Sequence, residues 1–141
     1  VDWSPDGGSL LYGSPGPEGI GLYFFDLATG AVEDVTVFDG KDAWAALSPD
    51  GRFLAYLARV GMDYGLHLGL SDGTGMRLIA LLEGWSLSDP LWSPDGDWLM
   101  LTVTGYEGVE ATLTPVLLSP TTCEVFPLAG IDGYVFDWAA P

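Results

Sequence analysis

The stretch Trp3-Ser4-Pro5-Asp6-Gly7 (WSPDG) returns as LSPDG at 47–51 and as WSPDG at 92–96, so its serines stand 44 and 45 residues apart. Self-similarity at a period of about 40–50 residues is typical of propellers and solenoids. Pro fixes φ at the first corner of a turn, Asp bonds nearby backbone, and Gly accepts positive φ. The motif therefore predicts a tight turn in each repeat. The predicted turn residues are Ser4, Pro5, Asp6, Gly7, Ser48, Pro49, Asp50, Gly51, Ser93, Pro94, Asp95 and Gly96.

Apolar, β-branched and aromatic segments flank each turn, and they favour a pleated, half-buried surface. No stretch of 11 or more residues keeps a helical period between capping signals, so we expect no helices. Four strands are predicted in each repeat. They are 1–3, 9–14, 21–27 and 31–37 in the first, 43–47, 52–58, 65–70 and 76–82 in the second, and 89–92, 97–103, 111–118 and 123–128 in the third. Loops are predicted at 15–19, 60–64 and 105–108.

Four antiparallel strands repeated along a chain are the blades of a β-propeller. We therefore predict an all-β propeller segment with three blades at about 1–41, 42–86 and 87–133. Residues 134–138 repeat the first-strand pattern, with Trp138 matching Trp3 and Trp92. They are predicted to form the first strand of a fourth blade.

The repeats also resemble a known family. The segments WSPDGGSLLY, LSPDGRFLAY and WSPDGDWLML, with LYFFDLATG after the first, are similar to the WD40-like (PD40) repeats of TolB-type propellers. Blades of this kind also occur in the propeller domains of prolyl-oligopeptidase-like and tricorn-type peptidases. The resemblance implies a propeller that binds protein or peptide, in the periplasm or outside the cell. It weakens along the chain, because the DLATG turn becomes LSDGTG and then LLSPTT.

Three blades do not close a ring, since propellers typically have four to eight. The open faces of both end blades would leave apolar surface bare, which soluble proteins rarely do. We expect a homodimer that completes six blades; the alternative is a fragment of a longer propeller. The chain begins inside a motif without an initiator Met, which fits a processed or cut piece.

Charge excludes two classes of partner. The chain has 20 acidic and 4 basic residues and a net charge of −16. Nucleic acid and anionic membranes need Lys/Arg surfaces, so both are poor partners. The longest apolar run, 78–82, is far too short to cross a bilayer, and these 141 residues open with no signal-peptide pattern. Cys123 is the only cysteine, so no intrachain disulfide can form.

No catalytic residues are predicted. Gly69, Ser71 and Gly73 fit the G-x-S-x-G nucleophile elbow, but that motif needs a strand-to-helix turn and an acid and a His later in the chain. Here it falls in a predicted strand-to-strand turn, and the single histidine, His67, lies upstream. His67 aligns with Tyr23 in the repeat, which predicts a partly buried structural ring.

No cofactor or metal is predicted either. With one His and one Cys the chain lacks a zinc ligand set. Calcium takes oxygen ligands and remains the more credible metal, although no D-x-D-x-D-G loop is present and SPDGD at 93–97 is explained by its turn.

The loops that enter the first strands are the best candidates for a binding site. In a propeller they surround one mouth of the central channel, and loops carry function more often than scaffolds do. Carboxylates beside aromatic rings suit a cationic or amphipathic guest. The candidate residues are Asp42, Trp44, Trp85, Asp89, Asp132 and Tyr134.

We therefore predict a non-enzymatic binding or assembly module that recognises protein or peptide. Two alternatives remain: the substrate-gating propeller of a serine peptidase, severed from its hydrolase domain, and a propeller fragment made to study self-assembly.

Overall fold

The computed structural model describes residues 2–16, 19–38, 43–61, 63–82, 85–86, 88–107, 110–131, 133 and 138. These residues form strands and turns, with no helix among them. The strands are β1 Asp2–Trp3, β2 Ser9–Gly16, β3 Gly19–Asp26, β4 Val32–Phe38, β5 Ala43–Leu47, β6 Phe53–Val60, β7 Asp63–Leu70, β8 Arg77–Leu82, β9 Trp85–Ser86, β10 Leu91–Trp92, β11 Leu99–Glu107, β12 Glu110–Leu118 and β13 Val125–Pro127.

The strands form three antiparallel sheets in chain order. The first has the order β1-β2-β3-β4, the second β5-β6-β7-β8 and the third β10-β11-β12-β13, with β9 also paired to β11. Each sheet is a propeller blade, and we number the blades 1 to 3. The predicted all-β fold built from four-stranded blades is confirmed.

Each SPDG segment forms the turn between the first two strands of its blade. Gly7, Gly51 and Gly96 have φ of +69°, +71° and +77°, a conformation that costs glycine little. In each turn the Ser hydroxyl donates to the Asp carboxylate at 2.5–2.7 Å and accepts an N–H from the second strand at 2.8–2.9 Å. The Ser hydroxyls and nearby backbone N–H groups hold the pKa values of the three Asp carboxyls below the ordinary range.

The structure differs from the prediction at the three loops and in the first strand of blade 3. The predicted loops 15–19, 60–64 and 105–108 belong mostly to strands, because β2, β6 and β11 reach Gly16, Val60 and Glu107. Only two residues join β6 to β7, and Gly61 at the first of them has φ +68°, as short hairpin turns require. The first strand of blade 3 is split into β9 and β10. Pro90 lies between them and has no N–H for a ladder, and Ser88 Oγ accepts the Thr102 N–H at 2.9 Å instead.

Blade 2 is packed on both sides. Leu54, Tyr56 and Ala58 of β6 form a core with Leu11 and Leu22 of blade 1. The alternate residues of β6, Ala55 and Leu57, form a second core with blade 3. Alternation along one strand therefore supplies both blade interfaces, as expected for a sheet buried on two faces.

The two end blades differ on their outer sides. On β11, Met100, Thr102 and Thr104 point away from blade 2 and are still only 8%, 0% and 1% exposed. The chain after β13 stays beside this blade, because Gly133 N–H donates to Leu113 O at 3.1 Å. On blade 1 the β2 residues that point away from its own core, Leu10 and Tyr12, are partly exposed. The expectation of an uncovered outer face therefore holds for blade 1, whereas the outer side chains of β11 in blade 3 are buried.

Candidate functional site

The first strand of blade 2 contacts the first strands of blades 1 and 3. Asp2 Oδ2 of blade 1 accepts the backbone N–H of Leu47 in blade 2 at 2.8 Å. The indole N–H of Trp92 in blade 3 donates to Ala46 O of blade 2 at 3.1 Å. These two bonds cross between blades, so they fix the relative positions of β1, β5 and β10.

Two clefts open beside this junction, and Asp89 lines both. One has a volume of about 280 Å³ and is bounded by Asp2, Ala46, Leu47 and Trp92 in addition to Asp89. The other has a volume of about 200 Å³ and is bounded by Tyr12, Gly13, Leu22 and Trp44, again with Asp89. We call the first the junction cleft and the second the edge cleft.

Asp89 is the electrostatically unusual residue of the junction cleft. The residue as a whole is exposed, but the cleft walls remove part of the water around its carboxyl. This desolvation raises the pKa of Asp89 above its ordinary value; the charge of the N-terminal amino group acts against the rise, and the nearby Asp2 carboxylate adds to it by a smaller amount.

The structure brings together only part of the predicted site. Trp44 and Asp89 share the edge cleft. The Trp44 ring also meets the Tyr64 ring edge-to-face, with centroids 5.6 Å apart, and packs on the core between blades 2 and 3. Trp85 lies on β9, but its side chain is not described. Asp42, Asp132 and Tyr134 lie outside the described residues.

Sequence reasoning missed Asp2, Tyr12 and Trp92 as cleft residues. The sequence alignment of the repeats could have pointed to two of these residues. It aligns Asp2 with Ala46 and Tyr12 with Tyr56. Asp2 lies on β1 and Tyr12 on β2. The prediction concentrated on loops and overlooked the strand residues that line the two clefts.

The G-x-S-x-G segment has no elbow geometry. Ser71 follows β7 in a hairpin, where its N–H donates to Arg52 O at 3.0 Å and Gly73 N–H donates to Leu70 O at 3.0 Å. His67 stacks on Tyr56 with ring centroids 4.6 Å apart, and its Nδ1 lies 3.1 Å from Gly65 O. Burial lowers the pKa of His67. The predicted partial burial of His67 is confirmed.

Within the described part of the chain no three His, Cys, Asp or Glu side chains come together in a way that could hold a metal ion. In the SPDGD segment, Asp95 Oδ1 already accepts the Ser93 hydroxyl and the Asp97 N–H. The described residues also include no helix with the length and apolarity needed to span a membrane.

Comparison with known proteins gives the blade type. No family model matches the chain. It is 33% identical over 79 residues to the Tol-Pal system protein TolB of Francisella tularensis, a match that covers 56% of this chain and 16% of that protein. The TolB crystal structure from Acinetobacter baumannii superposes with a TM-score of 0.74 at 20% identity, covering 90% of this chain and 31% of that one. These matches show a propeller fold whose blades are similar to those of TolB.

A peptidase is similar as well. The uncharacterized peptidase YuxL of Bacillus subtilis is 31% identical over 88 residues, covering 62% of this chain and 13% of that protein. The chain thus spans less than a fifth of the length of these curated relatives. What the likeness establishes is the TolB-type propeller fold.

Proposed function

We propose that this TolB-type segment is a non-enzymatic module that recognises protein or peptide through the junction cleft. The observation that carries the proposal is the placement of Asp2 and Asp89 in one cleft beside Trp92, at the meeting point of three blades. The similarity to a protein of the Tol-Pal system supports a role among proteins that act together.

The chemistry of the cleft favours a basic side chain. The stem of a Lys or Arg can lie along the Trp92 ring while its charged end meets the carboxylates. The net charge of −16 also attracts basic segments from a distance, and salt weakens that attraction. The proposed guest is therefore an extended segment with at least one Lys or Arg among apolar residues.

Charge reversal at the cleft tests this function. We expect Asp89→Lys to abolish binding of short Lys-containing peptides in fluorescence anisotropy, with thermal unfolding unchanged. Asp97→Lys is the matched control, because Asp97 is an exposed acid at an SPDG turn outside the junction cleft and the change in net charge is the same. Equal weakening by both variants would show that only overall charge attracts the peptides.

A second candidate, the substrate-gating propeller of a serine peptidase, is favoured by the similarity to YuxL. Under either candidate the 141 residues themselves should hydrolyse no ester or peptide. Turnover that disappears in Ser71→Ala would contradict this. A gene region after codon 141 that encodes an α/β-hydrolase domain would favour the peptidase, and further SPDG repeats would favour the recognition module.

A further inference from the structure

The outer strands of blades 1 and 2 carry opposite charge at matching positions. Among the described residues, β4 is paired only with β3, and β8 only with β7. Both strands shift register at the same place, and just before the shift β4 has Glu33 and Asp34 where β8 has Arg77 and Leu78. Natural proteins block open strand edges with charged side chains or Pro, and β13 of blade 3 contains Pro127. Of these three strands, β8 is the one with neither an acid nor a Pro.

The exposed side chains of β8 form an apolar patch. Leu78 and Leu81 lie opposite His67 and Gly65, which are two residues apart on β7, so both side chains point to the same face of the sheet. A Cβ on Gly65 would lie 2.6 Å from Leu78 Cδ1 and 2.7 Å from Val60 Cγ2, so these two side chains meet over the glycine. Val60, Leu78 and Leu81 are 40%, 48% and 51% exposed. We call these three residues the β8 patch.

The neighbouring blade on this face is already in place. Tyr56 and Ala58 of β6 pair with His67 and Gly65 and therefore point to the same face as the β8 patch. Both are buried, because they pack with blade 1. The cover that blade 1 provides thus ends before the outer strand. Contiguous exposed apolar side chains of this kind mark interaction sites more often than scattered single residues do.

The backbone of Leu81 faces outward from the sheet edge. Residues along an antiparallel strand alternate in the direction of their backbone hydrogen bonds. Leu70 N–H donates to Thr74 O at 2.9 Å, so Leu66, an even number of residues earlier on β7, also directs its groups toward β8. Its partner Ala80 directs its groups back toward β7. The N–H and C=O of Leu81, the next residue of β8, therefore point to the side where an added strand would bind.

Arg77 makes this edge locally positive. Its guanidinium donates to Cys123 Sγ and Pro120 O, both at 3.5 Å. Among the described residues no carboxylate forms an ion pair with Arg77. A carboxylate brought by a partner would therefore be attracted to β8, whereas Glu33 and Asp34 would repel the same group at β4.

We propose that β8 binds an extended segment of a partner protein as an added antiparallel strand of blade 2. The segment has apolar side chains at alternate positions, which cover the β8 patch, and one carboxylate near its C-terminal end, where the strand reaches Arg77. The net charge of −16 repels a longer run of acids, so a single carboxylate fits best. The interaction is independent of the junction cleft, because the segment needs no Lys or Arg.

Blocked hexapeptides that lack basic residues test the binding by NMR titration. The probe is Val-Thr-Val-Thr-Val-Glu, with its Gln-ended counterpart as the control. We expect the Glu peptide to slow hydrogen exchange of the Leu81 amide and to bind up to about fivefold more tightly than the Gln peptide, as for an exposed ion pair. Arg77→Gln should remove that preference. Equal affinity of the wild-type chain for both peptides overturns the role of Arg77.

Leu78→Asp tests the β8 patch, because it copies Asp34 of blade 1, where the same fold accepts an acid. It should raise the dissociation constant of the Glu peptide about tenfold. Val125→Asp is the matched control, since Val125 is 40% exposed on the outer strand of blade 3 and the change in charge is the same. Circular dichroism checks that both variants fold. Equal weakening by the two variants overturns the proposal, because overall charge would then explain the effect.

Modified peptides keep the test open if Leu78→Asp fails to fold. Aligned on the pairing of β8 with β7, the third residue of the peptide lies opposite Leu81. N-methylation of that residue should abolish binding, whereas N-methylation of the fourth, whose N–H points away, should not. Equal loss in both overturns the added strand. Sedimentation equilibrium of the chain without peptide tests the other occupant: a dimer that Leu78→Asp dissociates would mean that a second copy, and not a partner, covers β8.

Discussion

Blades 1 and 2 carry nearly the same sequence pattern in different surroundings. Both contain an SPDG turn, a register shift at the same place in the pairing of the third and fourth strands, and a stacked ring pair between the second and third strands. The ring pair is Tyr12–Tyr23 in blade 1 and Tyr56–His67 in blade 2. Yet Leu54 and Tyr56 of blade 2 are buried, whereas Leu10 and Tyr12 of blade 1 are partly exposed.

This difference distinguishes the interactions that form a blade from those that bury it. Turn residues and cross-strand side-chain pairs form the blade, because both blades have them whether or not a neighbouring blade packs on that face. Burial comes from the next blade, because the same positions are covered in blade 2 and open in blade 1. Most of the stability of this fold should therefore arise between blades.

Matched core truncations give the largest expected effect. Leu54→Ala removes a side chain that is 0% exposed between two blades, so we expect a loss of about 2–5 kcal/mol in the free energy of unfolding. Leu10→Ala at the matching, partly exposed position should cost less than half as much in the monomer. Denaturant titration of both variants at low protein concentration measures the difference. Equal losses would mean that blade 1 is covered as well as blade 2.

Substitutions in the SPDG turns should lower the stability of the two blades by more similar amounts. Gly7→Val and Gly51→Val each place a β-branched residue at positive φ, which should cost about 1–3 kcal/mol. Gly51→Val should cost more, because its Cβ would lie 3.3 Å from Pro5 Cδ of blade 1, whereas nothing lies within 4 Å of a Cβ at Gly7. Thermal unfolding measures both, with the exposed Arg52→Val as control. An unchanged midpoint in Gly7→Val would contradict the turn assignment.

The smallest expected effect is the pH dependence of stability that His67 of the Tyr56–His67 pair contributes. Burial lowers the pKa of His67, so its neutral form stabilises the fold above the unfolded-state pKa of about 6.5. That contribution should be lost as the pH falls below this value. His67→Tyr, which copies Tyr23 of blade 1, should remove this part of the pH dependence. Urea unfolding at pH 5 and pH 8 measures it, and an identical pH slope in both proteins would refute the assignment.

The sequence predicted the repeated elements well and their surroundings poorly. The SPDG spacing was enough for three antiparallel blades, because turn residues and alternating apolar segments act locally. The split at Pro90 was not predicted, since it depends on Ser88 reaching across to β11. The position of Asp2 in the junction cleft was also not predicted, because it depends on the packing of blade 3 near blade 1. The burial of Met100 and Thr102 on the outer side of blade 3 is likewise a tertiary property.

Amide hydrogen exchange at Gly13 and Leu57 tests the difference between the two blades most directly. The two residues occupy the same position of the repeat, but only Leu57 has a first-strand partner among the described residues. At low protein concentration we expect the Leu57 amide to exchange slowly and the Gly13 amide rapidly. Equal protection of both amides in the dilute chain would contradict this difference in strand pairing between the two blades.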